Sequence, residues 1–200
     1  TAQHRMEMEN YMRRGLERNE FILHYQPKQD LASGNLNGVE ALVRWQHPQR
    51  GLVDPDQFIP LAEETGLIVD LGRRIIDLTC AQIAAWRQAG LALPRVAINV
   101  SGVQLVGTQL VTDLRRALSE HQVPAKLLEL EITEDFVMNQ NREAIHLLEL
   151  FRDMNIQLAI DDFGTGYSSL AYLKELPLDT LKIDRSFVSG LPGSHHDAAI

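Results

Sequence analysis

The sequence has little cysteine, no excess of basic charge and no long apolar run. Of its 200 residues only Cys80 is a cysteine, so an internal disulfide is excluded and a reducing compartment is favoured. No run approaches the roughly 18 apolar residues of a membrane helix. The net charge of −8 argues against binding duplex nucleic acid, which needs a basic face. We therefore expect a cytoplasmic protein, or the cytoplasmic part of a membrane-anchored one.

The composition is that of an ordinary folded domain. Hydrophobic residues make up 44% of the chain and charged residues 23%, as in soluble globular proteins. A chain of this length is long enough to bury a substantial core. No linker, low-complexity tract or repeat divides it, apart from the alternation of strands and helices. We expect residues 1–200 to form a single domain.

Six segments show the alternation of apolar and polar residues that is typical of strands, and helical segments lie between them. We predict strands over 21–28, 37–46, 95–100, 127–133, 156–161 and 179–184. We predict helices over 4–18, 56–64, 67–88, 108–121, 141–154 and 168–175, with an irregular connector from Gln46 to Asp56. Strands that alternate with helices form parallel sheets covered on both sides. In a closed barrel, their polar faces would converge on the interior and its carboxyl-end mouth.

Two adjacent acids, Asp161 and Asp162, end the largely apolar run from Ile156 to Ile160. Neighbouring strand residues face opposite ways, so both acids can serve one site only where the strand stops and the chain turns. Gly164 and Gly166 permit such a turn. A divalent metal would relieve the repulsion between the carboxylates. A helix cap or a simple turn explains the same residues, and from this segment alone both interpretations stay open.

Seven segments in order resemble the EAL domain, the bacterial cyclic di-GMP phosphodiesterase module. They are Tyr25-Gln26-Pro27, Glu40 to Trp45, Phe58 to Glu63, Asn99-Val100-Ser101, Glu131 to Glu134, Asp161 to Leu170, and Lys182-Ile183-Asp184. A lone Glu-Ala-Leu tripeptide would carry no information, but seven ordered matches at plausible spacing are specific.

The resemblance implies an α/β fold, a TIM-like (β/α) barrel of EAL type whose first strand runs antiparallel to the others. EAL domains continue with a seventh strand, whose glutamate completes the second metal site, and an eighth strand. We see neither in this sequence and expect a single EAL domain over 1–200 that is truncated after the sixth strand. A TIM barrel typically needs about 250 residues, which agrees with this expectation.

The resemblance also assigns roles to individual residues. It implies a first Mg²⁺ or Mn²⁺ held by Glu40, Asn99, Glu131 and Asp161, and a second metal bridged by Asp161 and also held by Asp162. Hard cations prefer such oxygen ligands. It implies that Lys182 is a catalytic lysine that orients the attacking water, and that Glu134 is a catalytic-site carboxylate that holds the loop after the fifth predicted strand. The implied substrate contacts are Gln26, Leu42, Arg44 and Asp184.

Each assignment has a structural alternative. Asn99 could cap the turn at Ser101. Glu131 could be a solvated strand residue, and Glu134 could be an acid at a helix N-terminus. Lys182 could form a surface ion pair with Asp184, and Arg44 could pair with Glu40.

The function implied is metal-dependent hydrolysis of cyclic di-GMP to linear pGpG in bacterial second-messenger signalling. The alternatives are a non-catalytic cyclic di-GMP receptor, a truncated fragment with little turnover, and a scaffold that dimerises through the loops at the barrel mouth. The resemblance also implies a homodimer and flanking sensory or diguanylate cyclase domains.

Overall fold

The computed structural model describes residues 2–91, 95–139, 142–164 and 176–189. The α-helices are α1 (Ala2–Glu17), α2 (Ile59–Thr65), α3 (Ile68–Gln88), α4 (Gln109–Glu120), α5 (Glu134–Asn139) and α6 (Arg142–Asp153). The strands are β1 (Phe21–Gln29), β2 (Leu36–His47), β3 (Gly51–Val53), β4 (Val96–Val100), β5 (Leu128–Thr133), β6 (Gln157–Phe163) and β7 (Thr180–Ile183). The helix predicted over 168–175 lies outside the described residues. None of the helices described is both long and apolar enough to span a membrane.

The strands form one mixed sheet in the order β1-β2-β4-β5-β6-β7, and β3 pairs with β2 outside this path. β1 runs antiparallel to β2, whereas β2, β4, β5, β6 and β7 are mutually parallel. This topology confirms the predicted barrel-type fold with an antiparallel first strand. The absence of a seventh and an eighth barrel strand stays a prediction.

The sheet curls so that its polar face lines an interior. Lys28 on β1 lies 2.8 Å from a carboxylate oxygen of Glu129 on β5, although β2 and β4 separate these strands in the sheet. Lys182 on β7 likewise reaches Glu40 on β2, with an N–O distance of 3.3 Å. Contacts between such distant strands require strong curvature, so the polar faces converge as the sequence predicts.

The outer, apolar face of the sheet is covered by helices. α3 contributes a continuous buried stripe, and Cys80 on this stripe is fully buried as a small core residue. At the start of β1 and the end of β2, the rings of Phe21 and Trp45 stack at a centroid distance of 5.3 Å. Phe58 packs edge-on against both rings at 5.6 and 5.9 Å. This packing holds the start of β1 against the end of β2, where Phe21 and Trp45 are paired in the antiparallel register.

The predicted connector from Gln46 to Asp56 is wrong in part, because residues 51–53 form β3 and make a hairpin with β2. Trp45 pairs with Val53 and His47 pairs with Gly51, which has φ +73°. The buried His47 accepts hydrogen bonds at Nδ1 from the backbone amides of Gln49 and Arg50. The Pro48 and Gly51 signals therefore mark a tight turn, not an irregular segment. Sequence analysis also missed the short helix α5.

We predict that His47→Ala lowers the free energy of unfolding by about 2 kcal/mol. The substitution removes the acceptor of two turn amides and the ring that packs edge-on against Tyr11 and Trp45, at centroid distances of 5.0 and 4.9 Å. Urea denaturation measures the loss. The matched control is His146→Ala, because the His146 side chain is 72% exposed, and its effect should stay within about 0.5 kcal/mol. Equal losses for the two variants would contradict the role given to His47.

Candidate active site

The predicted metal ligands lie on neighbouring parallel strands. Glu40, Asn99, Glu131 and Asp161 come from β2, β4, β5 and β6 in that order. Asn99 lies directly beside Glu131 in the β4–β5 ladder, and Thr133 lies beside Asp161 in the next ladder. Each ligand alternates with buried apolar residues that face the helices, so strand geometry directs the polar side chains inward.

The ammonium group of Lys182 lies among the three carboxylates of this set, which together form the acid cluster. Its Nζ is 3.3 Å from Oε2 of Glu40 and 3.0 Å from Oδ2 of Asp161, and it also donates to Oε2 of Glu131. Asn99 donates from Nδ2 to Oε1 of Glu40 at 2.8 Å. The turn is capped by Ser101 itself and not by Asn99, and Lys182 is part of the acid cluster rather than a surface partner of Asp184. Three carboxylates around one ammonium leave excess negative charge for a divalent cation.

Glu131 is enclosed in the interior, and its side chain is 0% exposed. Oε1 accepts from Lys28 at 2.5 Å, and Oε2 accepts from Lys182. Burial raises the pKa of Glu131 even though hydrogen bonds from Lys182 and Lys28 oppose that effect. The alternative of a solvated strand residue is wrong.

The cluster controls the protonation of its other members. Burial alone would lower the pKa of Lys182, but hydrogen bonds to Glu131 and Asp161 outweigh burial and raise it. Burial would raise the pKa of Glu40, but the hydrogen bonds and charge supplied by Asn99 and Lys182 lower it. Lys182 is thus held cationic and Glu40 anionic.

Asp161 and Asp162 are brought to one site by a β-bulge rather than by the end of a strand. β6 continues to Phe163, and its register with β7 shifts between Ile160 and Phe163. Asp162 adopts a left-handed backbone with φ +55°, which Asp tolerates better than most residues. The extra residue redirects the second carboxylate. Burial and the negative charges of Asp161 and Asp184 raise the pKa of Asp162, so a cation beside these acids would be stabilised.

Glu134 connects β5 to the end of β6. It begins α5 and is 1% exposed, and its Oε2 accepts a hydrogen bond from the amide of Gly164 at 2.8 Å. Gly164 has φ +102°, and a Cβ there would lie 2.8 Å from the ring of Phe187. The carboxylate therefore fixes the chain where it leaves the Asp161–Asp162 bulge.

The four predicted substrate-contacting residues lie on β1, on β2 and directly after β7. Gln26 is exposed on β1 and pairs in register with Glu40, and Leu42 lies half-buried two residues beyond Glu40. Arg44 does not pair with Glu40: its Nε lies 3.3 Å from Oδ1 of Asp54, and it donates to the carbonyl of Val43 at 2.9 Å. Asp184 is half-buried, and its Oδ1 caps the turn after β7 by accepting from the amide of Ser186 at 2.8 Å.

An open cavity of about 470 Å³ lies beside the acid cluster. It is lined by side chains from the strand ends and from α2 and α3, among them Leu42, Glu63, Asn99, Ser101, Glu131 and Asp162. A space of this size and depth is in the range of small-molecule sites. The acids therefore border a volume that a ligand can enter.

Sequence analysis missed the charges beneath the cluster. Lys28 holds Glu131 and Glu129, and Arg95 contacts Glu129 and Gln157 at 3.3 and 3.2 Å. The signal was present, because Lys28 shares a strand face with Gln26 and alternation places both inward. Its partners lie on β5, which only the curvature of the sheet brings near.

A separate group of possible metal ligands lies on the helices: Asp77 on α3, Glu120 on α4 and His121 just after it. Arg116 already pairs with Glu120 at 2.7 Å and lies 3.9 Å from Asp77. These residues do not coincide with the predicted ligands, and a cation would compete with the guanidinium.

The fold and the site define a barrel-type α/β domain with a cluster of acids on its neighbouring parallel strands. The chain belongs to the EAL domain family, whose sequence profile matches residues 9–200. It is 45% identical over 199 residues to the bifunctional diguanylate cyclase/cyclic di-GMP phosphodiesterase MucR of Pseudomonas aeruginosa, covering 100% of this chain and 29% of MucR. It is also 45% identical over 199 residues to the cyclic di-GMP phosphodiesterase NbdA of the same organism, covering 100% of this chain and 25% of NbdA.

A solved structure of the PaMucR phosphodiesterase in complex with c-di-GMP superposes with a TM-score of 0.91 at 45% identity. That match covers 96% of this chain and 78% of the solved chain. The chain thus spans less than a third of the length of the two curated relatives, 29% and 25%.

We predict that Lys28→Met destabilises the fold by about 2 to 3 kcal/mol, because it leaves two buried carboxylates with one cation fewer. The Lys28 side chain is 30% exposed, whereas those of Glu129 and Glu131 are 8% and 0% exposed. Methionine keeps most of the apolar stem, so the charge is the main change. Chemical denaturation measures the effect.

Two variants bracket this prediction. Lys28→Arg should recover most of the lost stability, and Lys126→Met, at an exposed position, should change it by less than about 0.5 kcal/mol. Lys28→Met with wild-type stability would show that the interior does not need this cation.

Proposed function

We propose that this domain hydrolyses one phosphodiester of cyclic di-GMP and releases linear pGpG. The observation that carries the proposal is the convergence of Glu40, Glu131 and Asp161 on Lys182 at the mouth of the curled sheet, with Asn99 bonded to Glu40. The names of the relatives MucR and NbdA, and the c-di-GMP complex of the former, support the choice of substrate.

The residues present fit a hard divalent cation. The ammonium of Lys182 lies where three carboxylates meet and shows that their oxygens can surround a positive charge. Glu40, Asn99, Glu131 and Asp161 would hold the first Mg²⁺ or Mn²⁺, and Asp161 with Asp162 would hold the second. Such a pair of ions, when bound, generates a hydroxide nucleophile and stabilises the charge of the transferring phosphoryl group.

The protein groups supply orientation and charge. The ammonium of Lys182, held cationic by its carboxylates, orients the attacking water through a hydrogen bond. Arg44 binds a phosphate oxygen, and its guanidinium is held by Asp54. Gln26, Leu42 and Asp184 contact the substrate around the cluster. Glu134 fixes the Asp161–Asp162 bulge through the amide of Gly164.

The proposal extends to the setting of the domain. We infer that residues 1–200 belong to one EAL domain that two further strands complete, and that it acts in the cytoplasm as a homodimer beside sensory or diguanylate cyclase domains. The share of MucR and NbdA that the chain spans, and the bifunctional name of MucR, support flanking domains. The net charge of −8 supports the expectation that duplex nucleic acid is not a partner.

We predict that Glu40→Ala lowers the turnover of cyclic di-GMP by at least about a hundredfold, because it removes one cation ligand and the acceptor of both Asn99 and Lys182. The measurement is chromatographic quantification of pGpG formed by the chain with Mn²⁺. The matched control, Glu149→Ala on an exposed surface of α6, should retain wild-type turnover.

Chelation separates the proposal from its main rival. Hydrolysis should stop on addition of a chelator, whereas a non-catalytic receptor would bind cyclic di-GMP with or without the metal and form no pGpG. Wild-type turnover by Glu40→Ala, or hydrolysis that persists in chelator, would refute the proposed mechanism.

We predict that Arg44→Ala raises KM for cyclic di-GMP by about 10- to 100-fold and changes kcat less, because a charged hydrogen bond to a bound phosphate is lost. Steady-state kinetics separate the two constants. Arg152→Ala, at an exposed position of α6, serves as the control for loss of an arginine. A fall confined to kcat would place Arg44 in the chemical step rather than in binding.

A further inference from the structure

We propose that Glu63 and Ser101 are positioning residues that hold Asn99 in the orientation needed for cation binding. The proposal builds on the function proposed above, and its first test needs neither a metal nor a nucleotide. Glu63 lies on α2, and Ser101 directly follows β4, two residues after Asn99. Both residues line the same cavity as Asn99 and Glu131.

The contact between the two residues joins a helix to a strand end. The hydroxyl of Ser101 donates to Oε1 of Glu63 at 2.6 Å, a length typical of a hydrogen bond to a carboxylate. Within the described residues, the carboxylate of Glu63 has no salt-bridge partner. The neighbouring Glu64, by contrast, pairs with Arg5 at 2.7 Å. α2 thereby fixes the point at which the chain leaves β4.

A second set of hydrogen bonds holds the same turn. The amide of Ser101 donates to Oε1 of Gln104 at 3.1 Å, and the Ser101 hydroxyl accepts from the amide of Val103 at 3.3 Å. Gln104 is buried at 8% exposure and lies against Gly72 on α3, where a Cβ would come within 1.9 Å of its Nε2. Ser101 is therefore held from α2 through Glu63 and from α3 through Gln104.

Asn99 needs this external support more than Glu131 does. Glu131 is fixed by complete burial and by two lysines, but the side chain of Asn99 is exposed at the cavity. Its Nδ2 is bonded to Glu40 at 2.8 Å, which leaves Oδ1 as the atom for a cation. Asn99 and Ser101 lie two residues apart on the same face of the chain, so the bonds that fix Ser101 hold the end of β4 from which Asn99 projects.

The first experiment observes Asn99 itself by NMR in the chain without added metal. Its side-chain amide signals are identified by their loss in Asn99→Asp. Ser101→Ala and Glu63→Ala should both shift or broaden these signals, because the amide then samples several orientations. Glu63→Gln, whose amide oxygen still accepts from Ser101, should leave them near their wild-type positions. Glu64→Ala, one residue away with the same loss of charge, is the control.

The second experiment measures Mn²⁺ affinity by calorimetry. Ser101→Ala and Glu63→Ala should each weaken binding about 10-fold, as loss of a partner behind a metal ligand does. The double variant should bind Mn²⁺ with an affinity within about twofold of the weaker-binding single variant, because both changes remove the same hydrogen bond. Glu63→Gln and Glu64→Ala should stay within about twofold of wild type.

The outcomes separate this proposal from the hydrolase proposal. Unchanged Asn99 signals in Ser101→Ala, or additive losses in the double variant, overturn the positioning role. If the wild-type chain binds no Mn²⁺, the proposal that Glu63 and Ser101 support cation binding is overturned. Coupled Mn²⁺ losses in a chain that forms no pGpG uphold the positioning role and overturn hydrolysis by this chain instead.

Discussion

The structure depends on the compensation of one buried charge, the carboxylate of Glu131. An uncompensated ion at this depth would cost several kcal/mol, and each oxygen of Glu131 is held by a lysine from an opposite end of the sheet, Lys28 on β1 and Lys182 on β7. Because β1 runs antiparallel, Lys28 lies near the amino ends of the parallel strands, opposite Gly38, and approaches Glu131 from below. The same pair of contacts that satisfies the charge also connects the two outer strands across the interior, so curvature and electrostatics reinforce each other.

Charges alternate along the interior, and the balance changes from one end to the other. At the amino ends of the strands, Arg95 and Lys28 surround Glu129, so that acid is satisfied within the protein. At the carboxyl ends, Lys182 is shared by Glu40, Glu131 and Asp161, and Lys28 reaches Glu131 as well. The demand for a further cation is therefore confined to the mouth, beside the cavity. The interior is polar along the described strands, and the residues proposed to hold a divalent metal lie toward one end of it.

The sequence predicts most of the fold because alternation is a local property. The inward direction of Glu40, Asn99 and Glu131 follows from strand periodicity alone, and the antiparallel first strand follows from the family resemblance. The β-bulge at Asp161 and Asp162 was missed because an extra residue in a ladder depends on the partner strand, and the hairpin at β3 was missed because its Pro and Gly also suit irregular chain. The contacts of Lys28 with β5, and of Gln104 with Gly72, depend on how distant elements pack, which no local pattern contains.

The two proposed cation positions differ in what holds their ligands. The first position rests on strands, because Glu40, Glu131 and Asp161 belong to paired ladders and Glu131 has no freedom to move. The second depends on Asp162, whose left-handed backbone is uncommon for a residue with a side chain, and on the link from Glu134 to Gly164 that fixes the following chain. A change at Asp162 or at the link from Glu134 to Gly164 would therefore alter the second position while leaving the first in place. Control of the site would act most easily through this half, since moving it does not require breaking the buried charges that hold the sheet together.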